Sequence, residues 1–155
     1  MTGVNSYAFR NCTWLPAVKV SEGWQLIGEE AFSGCSNLKS VVLSTSSGGV
    51  IEKNAFYECT EVTTLTFSEG LKSIGDEAFY WACNLADVII PASLETVGTD
   101  AFKYASLGVV TLPDNLTAIP EGYMDNSNIQ TLNFGAHVTS IGNDAFGIIH
   151  HFTLP

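Results

Sequence analysis

Three cysteines are the residues of this 155-residue chain whose type and spacing most readily suggest chemistry. Cys12, Cys35 and Cys59 follow one another at intervals of 23 and 24 residues, so a repeating structure would stack their side chains. A disulfide or metal ladder is one interpretation, but parallel side chains suit a disulfide poorly, because its Cβ atoms must approach to about 3.8 Å. Free cysteine is often a small buried apolar residue. We therefore favour a row of core residues and keep the ladder as the alternative.

Acidic residues recur at another fixed place, within the phrases IGEEAF, IGDEAF, VGTDAF and IGNDAF. Seven of the sixteen acids, from Glu29 to Asp144, occupy the third or fourth place of a six-residue phrase. A calcium row would need several oxygen ligands that converge on one point, which two acids per unit do not establish. Helix capping explains the placement without a metal, because such residues suit the N-cap and the first helical turn. We expect N-caps at Ser6, Asp76, Thr99 and Asn143, and first-turn acids at Glu30, Glu77, Asp100 and Asp144.

The histidines do not complete a catalytic arrangement. His150 and His151 are adjacent and would point to opposite faces of a strand, and His137 lies in a connector, so we expect surface positions for all three. No Ser-His-Asp or Cys-His arrangement can be assembled, and SSGG lacks the lysine of a phosphate-binding loop. We predict a chain that is not an enzyme and uses no cofactor. Asn11 and Asn115 begin glycosylation sequons, which matter only in a eukaryotic secretory setting.

The composition narrows the class of partner. Six Lys and Arg stand against sixteen Asp and Glu, and the net charge of −10 disfavours binding to nucleic acid and to anionic membranes. Apolar residues make up 46% of the chain, enough for a sizeable core, but no run is long enough to span a membrane. The first residues have neither a basic start nor an apolar stretch, so they do not form a signal peptide. The chain is therefore expected to be cytosolic or a piece of a longer protein.

One phrase recurs seven times, beginning at residues 4, 27, 51, 74, 97, 119 and 141. Ala holds its fifth place and Phe its sixth in six copies, and the exception has Tyr123 and Met124. A second phrase of the form Leu-x-x-Val-x-Leu follows each copy, and its alternation predicts a strand with one buried face. A connector with one apolar residue leads to the next copy. The longer connector STSSGG at 44–49 lacks that residue, and we interpret it as a bulging loop.

These units predict a solenoid. Each coil would contain a strand, a connector, a turn made by the glycine of the phrase, and a short helix. One coil cannot bury its own apolar face, whereas stacked coils share a continuous core. The period of 22 to 24 residues falls within the leucine-rich repeat range of about 20–29 residues.

The run Leu-x-x-Val-x-Leu-Pro, then Leu-x-x-Ile-Gly-x-x-Ala-Phe-x-x-Cys, resembles the BspA-like class of leucine-rich repeats, most specifically in AFRNC, AFSGC and AFYEC. The resemblance implies an α/β fold, a right-handed curved solenoid of about seven coils that forms a single domain over residues 1–155. Parallel strands would line the concave face, with short helices or turns on the convex side. The fourth unit departs from the pattern, with Ala82 in place of cysteine, and the last is three residues shorter after Phe146. No capping unit precedes the first phrase, so we expect a fragment of a longer chain.

The outward positions of the strands are the expected partner-binding surface, because curved solenoids present extended concave faces. They are mostly small, uncharged and β-branched, with Val42, Ile89 and Val109 as an apolar centre. The candidate partner-binding residues are Lys19, Val42, Thr64, Thr66, Asp87, Ile89, Val109, Thr111, Thr131 and Asn133. A strand surface selected only for β-propensity is the alternative.

The resemblance also implies surface or secreted proteins of host-associated bacteria and some protists, which act in adhesion. We therefore expect a non-catalytic, monomeric protein-binding module that contacts a host matrix or cell-surface protein, without nucleic acid or membrane insertion. A structural spacer that presents another domain is the alternative, and an accessory region of an enzyme is a third hypothesis. The first hypothesis predicts that replacement of Val42 and Ile89 by aspartate leaves folding intact and abolishes partner binding. A pull-down with the isolated segment separates the binding module from the spacer.

Overall fold

The computed structural model describes residues 3–46, 48–85 and 88–148, in which twelve short strands follow one another. The strands are β1 (Gly3–Val4), β2 (Ala17–Val20), β3 (Leu26–Ile27), β4 (Ser40–Leu43), β5 (Gly49–Ile51), β6 (Thr64–Phe67), β7 (Leu71–Ile74), β8 (Thr96–Val97), β9 (Ser106–Thr111), β10 (Ala118–Ile119), β11 (Asn128–Asn133) and β12 (Ser140–Ile141).

The strands form two sets that alternate along the chain. The Leu-x-x-Val-x-Leu phrases give the parallel sheets β2-β4-β6 and β9-β11, and the connectors give the parallel sheets β1-β3-β5-β7-β8 and β10-β12. Val18 pairs with Val41 and Val41 with Leu65, so equivalent places of successive repeats lie one above another. The described chain is therefore a parallel-strand solenoid of about six turns, which confirms the architecture predicted from the repeat.

A column of aromatic rings runs through the core. Phenylalanines at the sixth place of the phrase form it, namely Phe9, Phe32, Phe56, Phe79 and Phe102. Neighbouring rings stack with centroids 5.1–5.2 Å apart, close to the spacing of paired strands. The sixth copy exchanges the sizes: Tyr123 stands at the alanine place and meets the Phe102 ring edge-on at 5.8 Å, while Met124 stands at the phenylalanine place.

The short helices are the part of the prediction that is wrong. The described residues contain no helix, and hence none that could cross a membrane; hydrogen-bonded turns begin within each phrase instead. In all seven copies of the phrase the fourth place has a positive φ, between 49° and 61°, which no α-helix accommodates. The Ala78 N–H donates to the Gly75 carbonyl at 3.4 Å, and Glu77 between them has the positive φ that the third residue of a type II turn requires.

The turns are joined from coil to coil, which corrects the capping hypothesis. The N–H groups of Glu77 and Phe79 donate to carbonyls of the next coil at 2.9 and 2.8 Å, while alternate residues close turns within their own coil. Asp76 caps no helix; its Oδ1 accepts a hydrogen bond from the Thr99 N–H of the next coil at 2.9 Å. The same correction applies to the caps predicted at Ser6, Thr99 and Asn143 and to the first-turn acids Glu30, Glu77, Asp100 and Asp144.

The glycine of the phrase is explained by contact rather than by a turn. Gly75 and Gly98 do not have a positive φ, contrary to the prediction that this residue makes the turn. A Cβ on Gly75 would lie 2.6 Å from the Lys53 nitrogen, and one on Gly98 would lie 2.3 Å from the Asp76 nitrogen. Glycine is used here because the backbones of adjacent coils touch.

The irregular connector is only partly a loop. Gly49 belongs to β5 and pairs with Leu71 of the next coil. A Cβ on Gly49 would lie 3.0 Å from the ring of Trp24, which is buried in the preceding coil. The Thr45 hydroxyl, also buried, donates to the Trp24 carbonyl at 3.0 Å. Trp24 therefore fills the space left by the missing apolar residue.

Candidate functional site

The outward residues of the strand sheets form one surface, which we call the strand face. Lys19 pairs with Val42 and Val42 with Thr66, and on the second sheet Val109 pairs with Thr131 and Thr111 with Asn133. The described candidate residues on this surface are Lys19, Val42, Thr64, Thr66, Ile89, Val109, Thr111, Thr131 and Asn133, and all are exposed or half-buried. Within each sheet, candidate residues from equivalent places of successive coils therefore lie side by side, as predicted. Asp87 lies outside the described residues.

The strand face is interrupted at the fourth coil. Residues 88–90 belong to no strand, so the three-stranded and two-stranded sheets are separate there. Pro91 follows directly and has no N–H with which to extend a ladder. The Ile89 side chain is left 84% exposed, and Val109 on β9 is 49% exposed.

A depression of about 530 Å³ lies at this interruption. Ile89, Val109, Thr111 and Asp114 are among the residues that line it. Two members of the predicted apolar centre, Ile89 and Val109, are therefore brought together. Val42 does not line the depression, because it sits on β4 between Lys19 and Thr66. The depression is apolar with a polar rim. It could bury a side chain of complementary shape, but it holds no reacting group.

Cys12, Cys35 and Cys59 stand at equivalent places of successive coils, and the last two lie in the core. All four cysteines of the chain are free, and Cys35 and Cys59 are buried. The Cys35 thiol donates to the Phe9 carbonyl at 3.1 Å, and the Cys59 thiol to the Phe32 carbonyl at 3.2 Å. Burial raises the pKa of both thiols, so they stay protonated at neutral pH and are poor nucleophiles. The interpretation of Cys35 and Cys59 as core residues is confirmed, whereas Cys12 is only partly buried.

Several acids hold the backbone of the next coil. Glu69 accepts hydrogen bonds from the N–H groups of Ala92 and Ser93 at 3.1 and 3.0 Å. Asp114 accepts one from the Ala136 N–H at 2.7 Å. Over residues 3–46, 48–85 and 88–148, no group of three or more His, Cys, Asp or Glu could hold a metal ion. Glu69 and Asp114 therefore help to hold adjacent coils together. His137 is exposed, and His150 and His151 lie outside the described residues.

Sequence reasoning missed a second surface feature, an aromatic cluster on the turns. It consists of Tyr57, Tyr80, Trp81 and Tyr104, and we call it the turn cluster. These residues occupy the two places that follow Ala-Phe in the third, fourth and fifth coils. Aligning the repeats would have shown these aromatic residues at equivalent places. They lie just after the six residues that define the phrase.

Comparison with known proteins places the repeat among leucine-rich repeats. The profile described as a BspA type leucine-rich repeat region matches six copies, over residues 1–107 and 27–153. A solved leucine-rich repeat protein from T. pallidum shares 27% identity at a TM-score of 0.77, covering 92% of this chain and 67% of that one. No curated protein matches the chain.

Two further solved structures share the fold. A leucine-rich cell surface protein from Faecalibacterium prausnitzii A2-165 is 21% identical at a TM-score of 0.54, covering 92% of this chain and 54% of its own. A leucine-rich repeat protein from Bacteroides ovatus ATCC 8483 is 19% identical at a TM-score of 0.55, covering 89% of this chain and 48% of its own. This chain therefore spans about half the length of either protein. The likenesses are to a fold that is generally a non-catalytic scaffold, and they indicate no enzyme family.

Proposed function

We propose, from the premise that this chain belongs to the BspA-type leucine-rich repeat family, that it is a module that binds a partner protein through the strand face. Leucine-rich repeat proteins typically bind proteins, and a solenoid offers a broad surface for such contact. The partner would make non-covalent contact only, since the strand face carries apolar and hydroxyl groups rather than a catalytic set.

The depression around Ile89 and Val109 is the observation that carries this proposal. Their exposure, 84% and 49%, leaves two β-branched apolar side chains in water on a face whose other candidate residues, apart from Val42, are polar. Interface anchors are commonly apolar or aromatic groups that fill such hollows. An apolar side chain of the partner would enter the depression, and Thr111 and Asp114 would supply hydrogen bonds at its rim.

We also propose that the module acts at a cell surface or after secretion, in contact with a host matrix or cell-surface protein. The support comes from the F. prausnitzii protein of the same fold, which is described as a cell surface protein. The candidate residues Lys19, Val42, Thr64 and Thr66 would extend the same contact over the three-stranded sheet.

The test is the double substitution Ile89→Asp and Val109→Asp. Both side chains are exposed, so the circular dichroism spectrum and the unfolding transition should be unchanged. Binding to a panel of purified matrix and cell-surface proteins should weaken by about tenfold or more, because a charge would replace each anchor.

Trp14→Asp is the matched control, because Trp14 is 73% exposed but lies outside the strand face. It should bind as the unchanged chain does. Equal binding by the double variant and the unchanged chain would overturn the strand-face proposal. If no protein of the panel binds even the unchanged chain, the structural spacer becomes the better hypothesis.

A further inference from the structure

The turn cluster is larger than the core requires. Tyr57 and Tyr80 stack at 5.0 Å, Tyr80 meets Tyr104 edge-on at 5.4 Å, and Trp81 lies 5.9 Å from Tyr104 between ring centroids. Trp81 is 44% exposed and the other three are half-buried. The separate column of phenylalanines already fills the space between coils, so the outer rings are not needed to close the core.

Two members of the turn cluster adopt an unfavourable backbone conformation. Trp81 and Tyr104 have φ values of 61° and 59°. Three other coils place Asn11, Gly34 and Asn126 at the same position, and these residues tolerate positive φ better than large side chains do. The remaining two have Glu58 and Ile148 there, also at positive φ. The fold would therefore accept smaller residues here. Strain retained in the exposed Trp81 and the half-buried Tyr104 points to a role beyond folding.

The first coil shows how this surface holds a cation. The Arg10 guanidinium lies 5.9 Å from the centre of the Tyr7 ring. Its Nε also pairs with a carboxylate oxygen of Glu30, in the next coil, at 2.9 Å. Arg10 follows Ala-Phe directly, and Glu30 is the fourth-place acid of its phrase.

The fifth coil repeats the arrangement with a lysine. The Lys103 Nζ lies 5.9 Å from the centre of the Tyr104 ring. It also lies 3.4 Å from Asp100, the fourth-place acid of its own coil, and 3.2 Å from Asp125. Ring and carboxylate together thus bind a cation twice on this surface.

The fourth coil has the acid and the rings, but a tyrosine stands at the place that holds the cation in the first and fifth coils. Glu77 is its fourth-place acid, and Tyr57 and Tyr80 stand at the two places that correspond to Arg10 and Lys103. Glu77 makes no ion pair with any described residue. Burial raises the pKa of Tyr57 and Tyr80. The charges of Glu58 and then Glu77 add to the rise at Tyr57, whereas the charge of Lys103 opposes the rise at Tyr80.

We propose that the turn cluster binds a lysine or arginine side chain from a basic segment of a partner protein. The cation would lie against the faces of the rings, with the carboxylates of Glu77 and Glu58 beside it. Tryptophan and tyrosine are the strongest cation–π partners among side chains. The net charge of −10 would steer a basic segment toward the molecule. This surface is separate from the strand face, so the two bind independently.

The test uses a ten-residue peptide of alternating lysine and glycine, and the same peptide with every lysine acetylated. Binding is followed by the NMR shift of the Trp81 indole N–H at physiological salt. We expect Glu77→Gln and Trp81→Asn each to weaken binding of the lysine peptide by roughly five- to tenfold, and the acetylated peptide not to bind. For Trp81→Asn, the shifts of neighbouring backbone amides replace the indole signal. Asparagine occupies the same place in two other coils, so this variant should fold.

Glu61→Gln is the charge-matched control, because Glu61 is exposed and outside the turn cluster. It should change affinity less than twofold, and the Ile89→Asp, Val109→Asp variant should bind the peptide normally. The proposal is overturned if Glu77→Gln and Trp81→Asn bind like the unchanged chain, or if Glu61→Gln weakens binding as much as Glu77→Gln. It is also overturned if phosphatidylcholine vesicles shift the Trp81 signal while the lysine peptide does not.

Discussion

Tyr123 carries a buried hydroxyl group that has no hydrogen-bond partner among the described residues. It stands where the other coils have alanine, and its ring packs against Phe102 and Phe146. Burial raises the pKa of the Tyr123 hydroxyl above its ordinary value of 10.0. An unpaired buried polar group costs free energy, so Tyr123 is a weak point of the core.

We expect Tyr123→Phe to raise the free energy of unfolding by about 1 kcal/mol at neutral pH, because it keeps the ring and removes the unpaired hydroxyl. The difference should grow above pH 10. There the unfolded tyrosine ionises while the folded one stays protonated, and the unchanged chain loses about 1.4 kcal/mol per pH unit. Urea unfolding at pH 7 and pH 10.5 measures both effects.

Tyr57→Phe serves as the comparison for that experiment, since its hydroxyl is not among the buried unpaired groups and should change stability by less than about 0.5 kcal/mol. A loss of stability in Tyr123→Phe would mean that a buried water satisfies the hydroxyl.

Individual core residues were predictable because the repeat fixes their place. Cys35 and Cys59 are buried as the column predicted, and Ile89 and Val109 face outward as the alternation predicted. The sequence shows a large Tyr123 at the alanine place and Met124 at the phenylalanine place. It does not show that the Tyr123 hydroxyl lacks a hydrogen bond, because hydrogen-bond partners come from neighbouring coils.

At the scale of the element, the phrase is a chain of turns rather than a helix start. Asp, Asn, Ser and Thr are common both at helix N-caps and in turns, so composition alone does not separate the two. The positive φ of Glu30 and Glu77 could not be predicted from the residue type, because glutamate at positive φ is uncommon. The coil-to-coil hydrogen bonds decide the conformation, and they are a property of stacking that no single phrase contains.

Two glycine-to-alanine substitutions separate two reasons for glycine, which are close contact with the next backbone and a positive φ. A Cβ on Gly75 would meet backbone atoms of the preceding coil at 2.6–3.1 Å, whereas Gly23 has open space but a φ of 90°. We expect Gly75→Ala to lower the free energy of unfolding by about 2 kcal/mol or more through the clash. Gly23→Ala should cost about 1 kcal/mol through its backbone conformation alone.

Thermal and urea unfolding of the two alanine variants provide the measurement. Equal losses would indicate that the approach of the coils at Gly75 relaxes without cost, contrary to the explanation given for the phrase.

At the scale of the whole molecule, stability should behave as a sum over coils and their contacts. Deletion of residues 76–98 removes one full period and joins Gly75 to Thr99, so that Phe102 would stack on Phe56. We expect this variant to keep the circular dichroism spectrum and a cooperative unfolding transition, with a lower midpoint.

Deletion of only residues 76–87 breaks the period and should abolish cooperative unfolding, although it removes about half as many residues. If the longer deletion unfolds the chain while the shorter does not, the coils are not equivalent units.

The direction of the hydrogen bonds has a mechanical consequence. In the sheets and in the turn column, they run from one coil to the next, along the axis of the solenoid. A force that draws the two ends of the axis apart would therefore load a few bonds of one terminal coil at a time, as in peeling, rather than shear many together. Each coil of 22–24 residues would then release about 80 Å of chain in turn, so that the molecule yields at low force in regular steps.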